Sequence, residues 1–569
     1  MFRHLSTRPF FIATLPLLAA WCLISLLATP ALQNDDHQLY FMLCNGGTGS
    51  IPFSLYMGTL YGMLLMLLNS ICDWVNWHLV MLHAISSLAS LGLNYYAASQ
   101  WAAQRSDNPG IDFCRITAAL SILCYLNFQC IYCPQYTHIA ILCSCASLLL
   151  LYLWWVRKRS SLIFLASLLL FVCAYELRAS SLMAFAILGI GVLVAAWLQR
   201  RPDSAVQPAR AGFLIIFPCI LLMLGCVDFL SYSYSPEWAE AHNFCSARQG
   251  ILDQRDNSGI DKSRQLQQAG IEMNDFRVFQ SFTYVPGFCN ENAEQLDKIR
   301  QIHQSERIGL FNNGELARLG FLSFKGFHYP KESSFLRTIT PYVPMIAMLV
   351  LLAPGINRRT LMYILPVMFA ILLYFTSLLL FQRPVGRVWY PVLYTGSVWL
   401  MGSPSTIRAS RLSNIMYRGA LFVAVMSTLF CLRHCRHAIH PDVPIWKYYA
   451  RNADKLYLTT SMQGLGLFPP GWSGVSLKYF STTNIIPISD GWCFYSPAYH
   501  AALHARGIKN PYTEICKPDT YIVTQSDRRE KGMLNAISSM HESQIGTSLR
   551  YRQVETVGRF TIWKAEPAN

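Results

Sequence analysis

Charged residues are scarce in this sequence, and their scarcity argues against a water-soluble protein. Only 14% of the 569 residues are Asp, Glu, Lys or Arg, whereas an ordinary soluble domain has about 25%. Hydrophobic residues make up 53% of the chain, and they come in blocks of about 20 residues rather than at amphipathic spacing. Blocks of that length cross a hydrocarbon core of roughly 30 Å, so the sequence predicts a membrane protein.

Acidic residues are scarcer than basic ones, at 31 against 46, which gives a formal net charge of +15. The basic residues do not line the face of a folded domain. They stand in short clusters between apolar blocks, as at Arg157 to Arg159, Arg200-Arg201 and Arg358-Arg359. Such clusters are typical of the cytoplasmic loops of membrane proteins. We therefore exclude nucleic acid as a partner and expect membrane lipid instead.

The apolar blocks predict a polytopic bundle of about 11–12 transmembrane helices. Candidate spans lie near 9–31, 55–71, 77–98, 113–131, 134–156, 161–178, 181–198, 211–230, 338–354, 360–381, 388–402 and 415–432. The basic clusters place the N-terminus inside and the C-terminus outside, which requires an odd number of crossings. The block 55–71 is the weakest because Gly58 and Gly62 interrupt it. Either this block is re-entrant or lies along the outer face, or another block is miscounted.

Two polar regions divide this mainly α chain into four parts. The predicted parts are an N-terminal membrane domain, 1–232, with its first outer loop at 32–54; an extracytoplasmic helical cap, 233–336; further membrane helices, 337–432; and a small extracytoplasmic α/β domain, 433–569. Strand character at Lys455–Thr460 and Thr520–Val523, and an alternating segment at Thr556–Lys564 that resembles an edge strand, indicate the α/β class. Leu534–Ser543 has the pattern of a helix.

Cysteine is plentiful, with 18 residues, many of them inside apolar blocks. Each polar region also contains a candidate disulfide pair, Cys245 with Cys289 and Cys493 with Cys516. Disulfides in an oxidising compartment would leave this pattern. Spacing alone leaves the pairing open.

The sequence Asn34-Asp35-Asp36-His37 directly follows the first apolar block. Two adjacent carboxylates at a membrane boundary are costly unless they are solvated, paired or in use. They could simply belong to a solvated loop. However, the stretch that follows, 40–49, is too apolar for a flexible loop and too rich in glycine for a span, so we expect an ordered segment that lines a site.

Arginines and another carboxylate fall on the same predicted outer side. Glu176 and Arg178 lie at the end of one span, where they could also satisfy one another or reach the lipid interface. Arg383 and Arg387 are four residues apart and violate the positive-inside rule. Interfacial anchoring is one explanation, and convergence on a phosphate is the other, because a guanidinium donates two parallel hydrogen bonds to neighbouring oxygens.

These residue types together indicate group transfer from a phosphorylated donor. Asp35 or Asp36 could act as general base or hold a divalent metal, Mg²⁺ or Mn²⁺. His37, Glu176, Arg178, Arg383 and Arg387 are the candidate substrate-binding residues. The arginines would stabilise the phosphate as negative charge develops on it. His37 could instead be hydrogen-bonded to its acidic neighbours and have no further role.

Asp35-Asp36 in the first outer loop, followed by many spans and an outer C-terminal domain, resembles the GT-C superfamily of membrane glycosyltransferases. More narrowly, three motifs are similar to those of a group of uncharacterised bacterial membrane proteins: Asn34 to Asp36 with the glycine stretch, Asn127 to Ala140, and Gly270 to Asp275. The resemblance implies polyprenyl-phosphate sugars as donors. It also implies that Asp35 or Asp36 is the base or metal ligand. The second acidic motif of the oligosaccharyltransferase branch has no match here.

The function expected from this resemblance is a glycosyltransferase of the bacterial inner membrane that works on its extracytoplasmic face. It would move a sugar from a polyprenyl-phosphate donor to a glycan or lipid of the cell envelope, as in polysaccharide biosynthesis. One alternative is a polysaccharide polymerase or ligase. The other is a non-enzymatic lipid or glycan transporter, which the scarcity of midplane charges and the lack of an internal repeat disfavour.

Overall fold

The computed structural model describes a large part of the chain. The described residues are 8–27, 36–45, 48–101, 109–132, 134–156, 160–199, 213–252, 263–268, 270–280, 283–286, 293–299, 357–380, 386–403, 443–460, 484–489, 493–526 and 530–568, with a few single or paired positions between 288 and 426. Asp35, Arg383 and Cys289, which carry predictions above, lie outside them.

Helices dominate the described residues. The helices are α1 (Arg8–Leu27), α2 (Asp36–Leu43), α3 (Thr59–Ile71), α4 (Trp77–Trp101), α5 (Pro109–Tyr132), α6 (Tyr136–Val156), α7 (Ser161–Arg178), α8 (Leu182–Leu198), α9 (Ile216–Ser233), α10 (Pro236–Leu252), α11 (Ser263–Gln268), α12 (Met273–Gln280), α13 (Arg358–Leu380), α14 (Gly386–Met401), α15 (Val443–Arg451), α16 (Pro497–His504), α17 (Pro511–Glu514) and α18 (Glu530–Ile545).

Four helical segments of the described chain are long and apolar enough to cross a membrane. They are Tyr136–Val156, Ser161–Leu198, Ile216–Ser233 and Arg358–Leu378. These segments support association with a membrane. The count of 11–12 spans stays a prediction, since the blocks 338–354 and 415–432 lie largely outside the described residues.

The segment Ser161–Leu198 contains a break at the position where the sequence predicts one span to end and the next to begin. Arg178 has extended backbone angles, φ −167° and ψ 104°, and a short 3₁₀ turn follows at Ala179–Ser181. Helix α7 packs closely on α6, where Ser147 Oγ and Ser167 Oγ each donate a 2.7 Å hydrogen bond to the other residue's carbonyl. Such bonds between small residues hold membrane helices together without a hydrophobic driving force.

Helix α3 occupies the doubtful block 55–71. Its 13 residues give a length of about 20 Å at 1.5 Å per residue, which falls short of a hydrocarbon core. One face buries Tyr61 and Leu65, whereas Leu67 and Ile71 are exposed. The helix is therefore buried on one face, exposes apolar residues on the other, and is too short to span a membrane alone.

The chain divides into two compact units. The first comprises 1–29, 81–226 and 320–439, and the second comprises 30–80, 227–319 and 440–569. The second unit thus combines the region of the predicted first outer loop and α3 with parts of the predicted cap and the C-terminal region.

A small five-stranded sheet in the C-terminal region confirms the predicted α/β character. Its strands are β1 (Leu456–Thr459), β2 (Ile485–Pro487), β3 (Thr520–Gln525), β4 (Leu549–Val557) and β5 (Phe560–Pro567), in the order β2-β1-β3-β5-β4. Strand β1 is parallel to both of its neighbours, and β5 is antiparallel to β3 and β4.

The prediction of one edge strand at Thr556–Lys564 was wrong. Gly558 has a φ of +61° and lies in the two-residue loop of a β4–β5 hairpin, where the tight turn favours glycine. Strand β5 is an inner strand and β4 is the edge. The alternation of residues 556–564 therefore spans a turn.

The pairing of Cys493 with Cys516, which the sequence left open, does not occur, because no disulfide joins the two residues. Cys493 is fully buried, and burial raises the pKa of its thiol, which therefore stays protonated. Cys516 instead lies 3.8 Å from His541 Nε2. Cys245 is buried, and its candidate partner Cys289 lies outside the described residues.

Candidate functional site

Helix α2 begins at Asp36 and is buried along its whole length. The Asp36 carboxylate lies in the first turn, where the partial positive charge of a helix N-terminus stabilises it. Asp36 is fully buried, with 0% of its surface exposed. Because burial of an ionised carboxylate costs free energy unless other groups compensate it, the neighbours of Asp36 determine its role.

The imidazole of His78, in the first turn of α4, lies next to Asp36. His78 Nε2 is 3.6 Å from Asp36 Oδ1, and both side chains are fully buried. The other ring nitrogen, Nδ1, is 2.9 Å from Tyr61 Oη on α3. Tyr40 stacks on the imidazole with a centroid distance of 5.8 Å and an interplanar angle of 14°. We call these four residues the Asp36–His78 cluster.

In the Asp36–His78 cluster the imidazole of His78 lies between the hydroxyl of Tyr61 and the carboxylate of Asp36. When the Tyr61 hydroxyl donates to His78 Nδ1, the ring proton is on Nε2 and points towards Asp36. In the other tautomer Nδ1 carries the proton and donates it to the Tyr61 hydroxyl. A carboxylate beside Nε2 favours the first arrangement because it attracts the N–H group. The 3.6 Å between Asp36 and His78 exceeds a hydrogen-bond length, so the two groups are neighbours without a hydrogen bond to each other. The cluster can thus fix the position of α2 and the tautomer of His78.

Contacts at the N-terminus of α3 hold Tyr61 in this cluster. The backbone N–H and the hydroxyl of Thr59 donate to Asp228 Oδ1 at 2.8 and 2.7 Å. Asp228 therefore caps α3 from another helix, which satisfies a donor that a helix start leaves unpaired. A Cβ on Gly62 would lie 2.0 Å from the carbonyl oxygen of Pro52. Only glycine allows α3 to approach the preceding segment so closely.

The segment before α3 is ordered by aromatic and backbone contacts. Tyr232 Oη donates to the Ser54 carbonyl at 2.8 Å, and Phe53 stacks on Trp238 with ring centroids 5.7 Å apart. Asn45 has a positive φ of 46°, a conformation that asparagine tolerates better than most residues. The sequence predicts an ordered segment at 40–49, of which residues 40–43 belong to α2 and residues 46–47 lie outside the described residues.

Arg178 lies in the first unit, at the end of α7, and hydroxyl groups orient its guanidinium. Nη1 donates to Tyr136 Oη and to Thr137 Oγ1, each at 2.8 Å, and Nε donates to Ser180 Oγ at 3.1 Å. Tyr136 and Thr137 are the first residues of α6. A helix N-terminus carries partial positive charge, so cationic and dipolar groups meet at this point.

The remaining predicted site residues lie in several places. His37 follows Asp36 in α2 and is buried. Glu176 is buried in the last turn of α7, and Arg387 is half-buried in the first turn of α14. Asp36 and His37 belong to the second unit, whereas Glu176, Arg178 and Arg387 belong to the first.

Sequence reasoning missed His78 and Tyr61. Both lie inside blocks that the sequence presents as apolar spans, and a histidine there usually packs as a core residue. His78 is 42 positions from Asp36 in the chain, so no local spacing signals their contact. A histidine at the edge of an apolar block was the available signal.

Metal binding finds no support from the described residues. Among them, no three His, Cys, Asp or Glu side chains are arranged so that they could hold a metal ion. Asp35 lies outside the described residues, so the predicted Mg²⁺ or Mn²⁺ stays a prediction.

Comparison with known proteins identifies no relative. No protein-family model matches the chain, and neither the curated proteins nor the solved structures contain a significant match.

Proposed function

We propose that this chain is a membrane glycosyltransferase that moves a sugar from a polyprenyl-phosphate donor to a glycan or lipid acceptor of the cell envelope. The observation that carries the proposal is the buried Asp36–His78 cluster, whose carboxylate lies at the start of the second helix of the described chain, soon after the first apolar helix. A fully buried carboxylate beside an imidazole is costly to maintain, and such groups concentrate at functional sites.

In this proposal the two adjacent aspartates have different roles. Asp35 is the general base: its carboxylate takes the proton of an acceptor hydroxyl, whose oxygen then bonds to the anomeric carbon of the sugar. The bond between that carbon and the donor phosphate breaks, and polyprenyl phosphate leaves with the electron pair. Asp36 is a positioning residue, because its own carboxylate is enclosed against His78. It holds the start of α2 in a fixed position.

Arg178 is the proposed contact for the donor phosphate, with Arg383 and Arg387 as further candidates. The hydroxyls of Tyr136, Thr137 and Ser180 orient the Arg178 guanidinium. The adjacent N-terminus of α6 adds backbone N–H groups with partial positive charge, which favour a bound phosphate. Both contributions grow as negative charge develops on the leaving phosphate.

The test compares Asp35→Asn, Asp36→Asn and Asp36→Glu in cells that depend on the chain for a labelled surface glycan. We expect Asp35→Asn to lower sugar incorporation at least about a hundred-fold, the usual range for loss of a general base. Asp36→Asn should lower it less, and Asp36→Glu should restore part of it. Asp454→Asn, a change at an exposed aspartate, is the matched control.

Protein levels in the membrane are measured for every variant. Unchanged incorporation in Asp35→Asn at a normal protein level would contradict the proposed base. Equal loss in Asp36→Asn and Asp36→Glu would contradict a positioning role that depends on the charge of Asp36.

A further inference from the structure

The second unit contains a cavity of about 900 Å³ that the Asp36–His78 cluster does not line. Its walls come from helices α10 and α16, and Thr48 of the glycine-rich segment also contributes. Ligand sites for small molecules have volumes of about 300–1,000 Å³. The cavity is therefore large enough for a ligand of several rings.

The polar groups of this cavity come in two pairs with helical spacing. Glu237 and Glu240 on α10 are three residues apart, and His500 and His504 on α16 are four residues apart. At these spacings both members of a pair lie on one face of their helix. Carboxylates accept hydrogen bonds, and an imidazole can both donate and accept them.

Small and aromatic residues complete the lining. Ala241, Ala501 and Ala505 leave room between the two helices. Phe244 and Tyr495 contribute apolar surface, and their ring centroids are 4.7 Å apart. An apolar lining with a few convergent polar groups is the usual composition of a site that binds an organic ligand.

We infer that this cavity binds a neutral oligosaccharide of two or three sugar rings, the acceptor glycan of the transfer reaction; the acceptor role rests on the function proposed above. Sugar hydroxyls need both acceptors and donors, which the two residue pairs provide, and the C–H faces of sugar rings pack on apolar surface. The two glutamates are the only residues with a formal charge among the described lining residues, histidine being counted as neutral. They repel a phosphate and leave that part of the donor to the arginines.

The cavity adjoins the helix that carries the proposed chemistry. Helix α2, which begins at Asp36, packs against α16, and α16 supplies His500, His504 and Ala501 to the cavity. An acceptor glycan held against α16 is thus one helix away from Asp36. Binding energy from the glycan can be used to orient the reacting hydroxyl.

The experiment measures binding of maltotriose, cellotriose and triacetylchitotriose, each alone, to the purified full-length protein in detergent, by saturation-transfer difference NMR and without any donor. We expect at least one to bind. Ala501→Trp, which fills the cavity, should weaken that binding at least about ten-fold. Ala536→Trp, at another half-buried helical alanine outside the cavity, is the matched control and should bind normally.

The double variant Glu237→Gln/Glu240→Gln keeps the shape of the cavity. It replaces Ala501→Trp in the binding measurement if that variant does not fold. It should weaken binding by about three- to ten-fold, because charge-assisted hydrogen bonds are stronger than neutral ones. If no trisaccharide binds the wild-type protein, or if these variants bind as well as wild type, the inference is overturned.

Sugar transfer from the lipid donor is assayed separately. Cavity-dependent binding without transfer contradicts only the proposed function, and transfer unaffected by the cavity variants contradicts only the acceptor role of the cavity.

Discussion

Asp36 has a fully buried carboxylate beside a buried histidine, and this pairing connects three separate parts of the chain. The carboxylate comes from α2, the imidazole from α4 and the hydroxyl that holds the imidazole from α3. A buried polar network of this kind is stabilising only when its members satisfy one another. Loss of one member should therefore affect stability and activity together.

Replacement of Tyr61 by Phe removes the hydroxyl that contacts His78 Nδ1. We expect a loss of about 1–3 kcal/mol in unfolding free energy, because a buried ring nitrogen loses its partner. Thermal unfolding of the purified protein in detergent measures the effect. The control is Tyr95→Phe, since the hydroxyl of this half-buried tyrosine makes no hydrogen bond to the described residues. Equal stability of both variants would contradict the role given to Tyr61.

Replacement of Arg178 by Lys tests the phosphate contact. Lysine keeps the charge but cannot donate in the planar, two-pronged geometry of a guanidinium. We expect KM for the lipid donor to rise about ten-fold while kcat changes less, as for the loss of an interaction present in both ground and transition states. Arg550→Lys, at an exposed strand position, should leave both constants unchanged. An unchanged KM in Arg178→Lys would remove this residue from the donor site.

Individual residues differ in how far the sequence could predict them. Asp36 and Arg178 stand out because charge is rare in an apolar chain, so their positions alone indicate an unusual role. His78 and Tyr61 carry no such signal, since their importance depends on a contact across 42 and 17 positions of the chain with Asp36 and with each other. Glu237 and His500 were missed because exposed polar residues on a short helix are ordinary. The two residues line one cavity only because α10 and α16 face each other in the structure.

At the scale of elements, α3 shows how one glycine sets the packing of a segment. Gly62 lies against the Pro52 carbonyl, where any larger residue would clash with backbone. In the sequence the same glycine suggested only a weak span. Its structural reason is close approach of a helix to the segment that precedes it.

Gly62→Ala should therefore destabilise the protein by about 1–3 kcal/mol, the usual cost of an overpacked site. Gly532→Ala is the matched control, because a Cβ at Gly532 meets nothing within 4 Å and the residue is helical. In that variant alanine should stabilise by up to about 1 kcal/mol through its helix propensity. The two changes in melting temperature should have opposite signs; a neutral Gly62→Ala would contradict the packing described for α3.

Elements were predictable wherever local pattern determined them. The C-terminal helix and the strands at β1 and β3 follow from periodicity and residue type, and the structure confirms them. The β4–β5 hairpin was misread because alternation continues on both sides of its turn, and only the positive φ of Gly558 separates the strands. Cys493 and Cys516 form no disulfide with each other, because pairing depends on three-dimensional distance and not on the number of cysteines.

At the scale of the whole molecule, lipid is the solvent that the apolar helices require. Four described helical segments are long and apolar enough to cross it, and the basic clusters of the sequence predict which loops stay inside. These clusters also predict that the C-terminal domain lies outside. This second prediction concerns the orientation of the chain in the membrane, which the basic residues of the loops determine.

Fusion of a reporter after Asn569 tests this orientation. We expect alkaline phosphatase fused there to be active, because that enzyme forms its disulfides only outside the cytoplasm. A green fluorescent protein at the same position, which needs the cytoplasm to mature, should stay dark. Fusions at the predicted inner loop 200–210 are the control and should give the reverse result. Fluorescence at the C-terminus would contradict an outer active site.

The most direct test of the central claim is turnover of a lipid-linked sugar by the purified protein. The full-length chain is reconstituted in liposomes with polyprenyl-phosphate glucose, galactose or mannose, radiolabelled in the sugar, and with an envelope glycan extract as acceptor. The account predicts that one donor yields polyprenyl phosphate and labelled glycan in equal amounts, and that Asp35→Asn abolishes both. Movement of the intact donor across the bilayer, with neither product formed, would show a carrier and contradict sugar transfer.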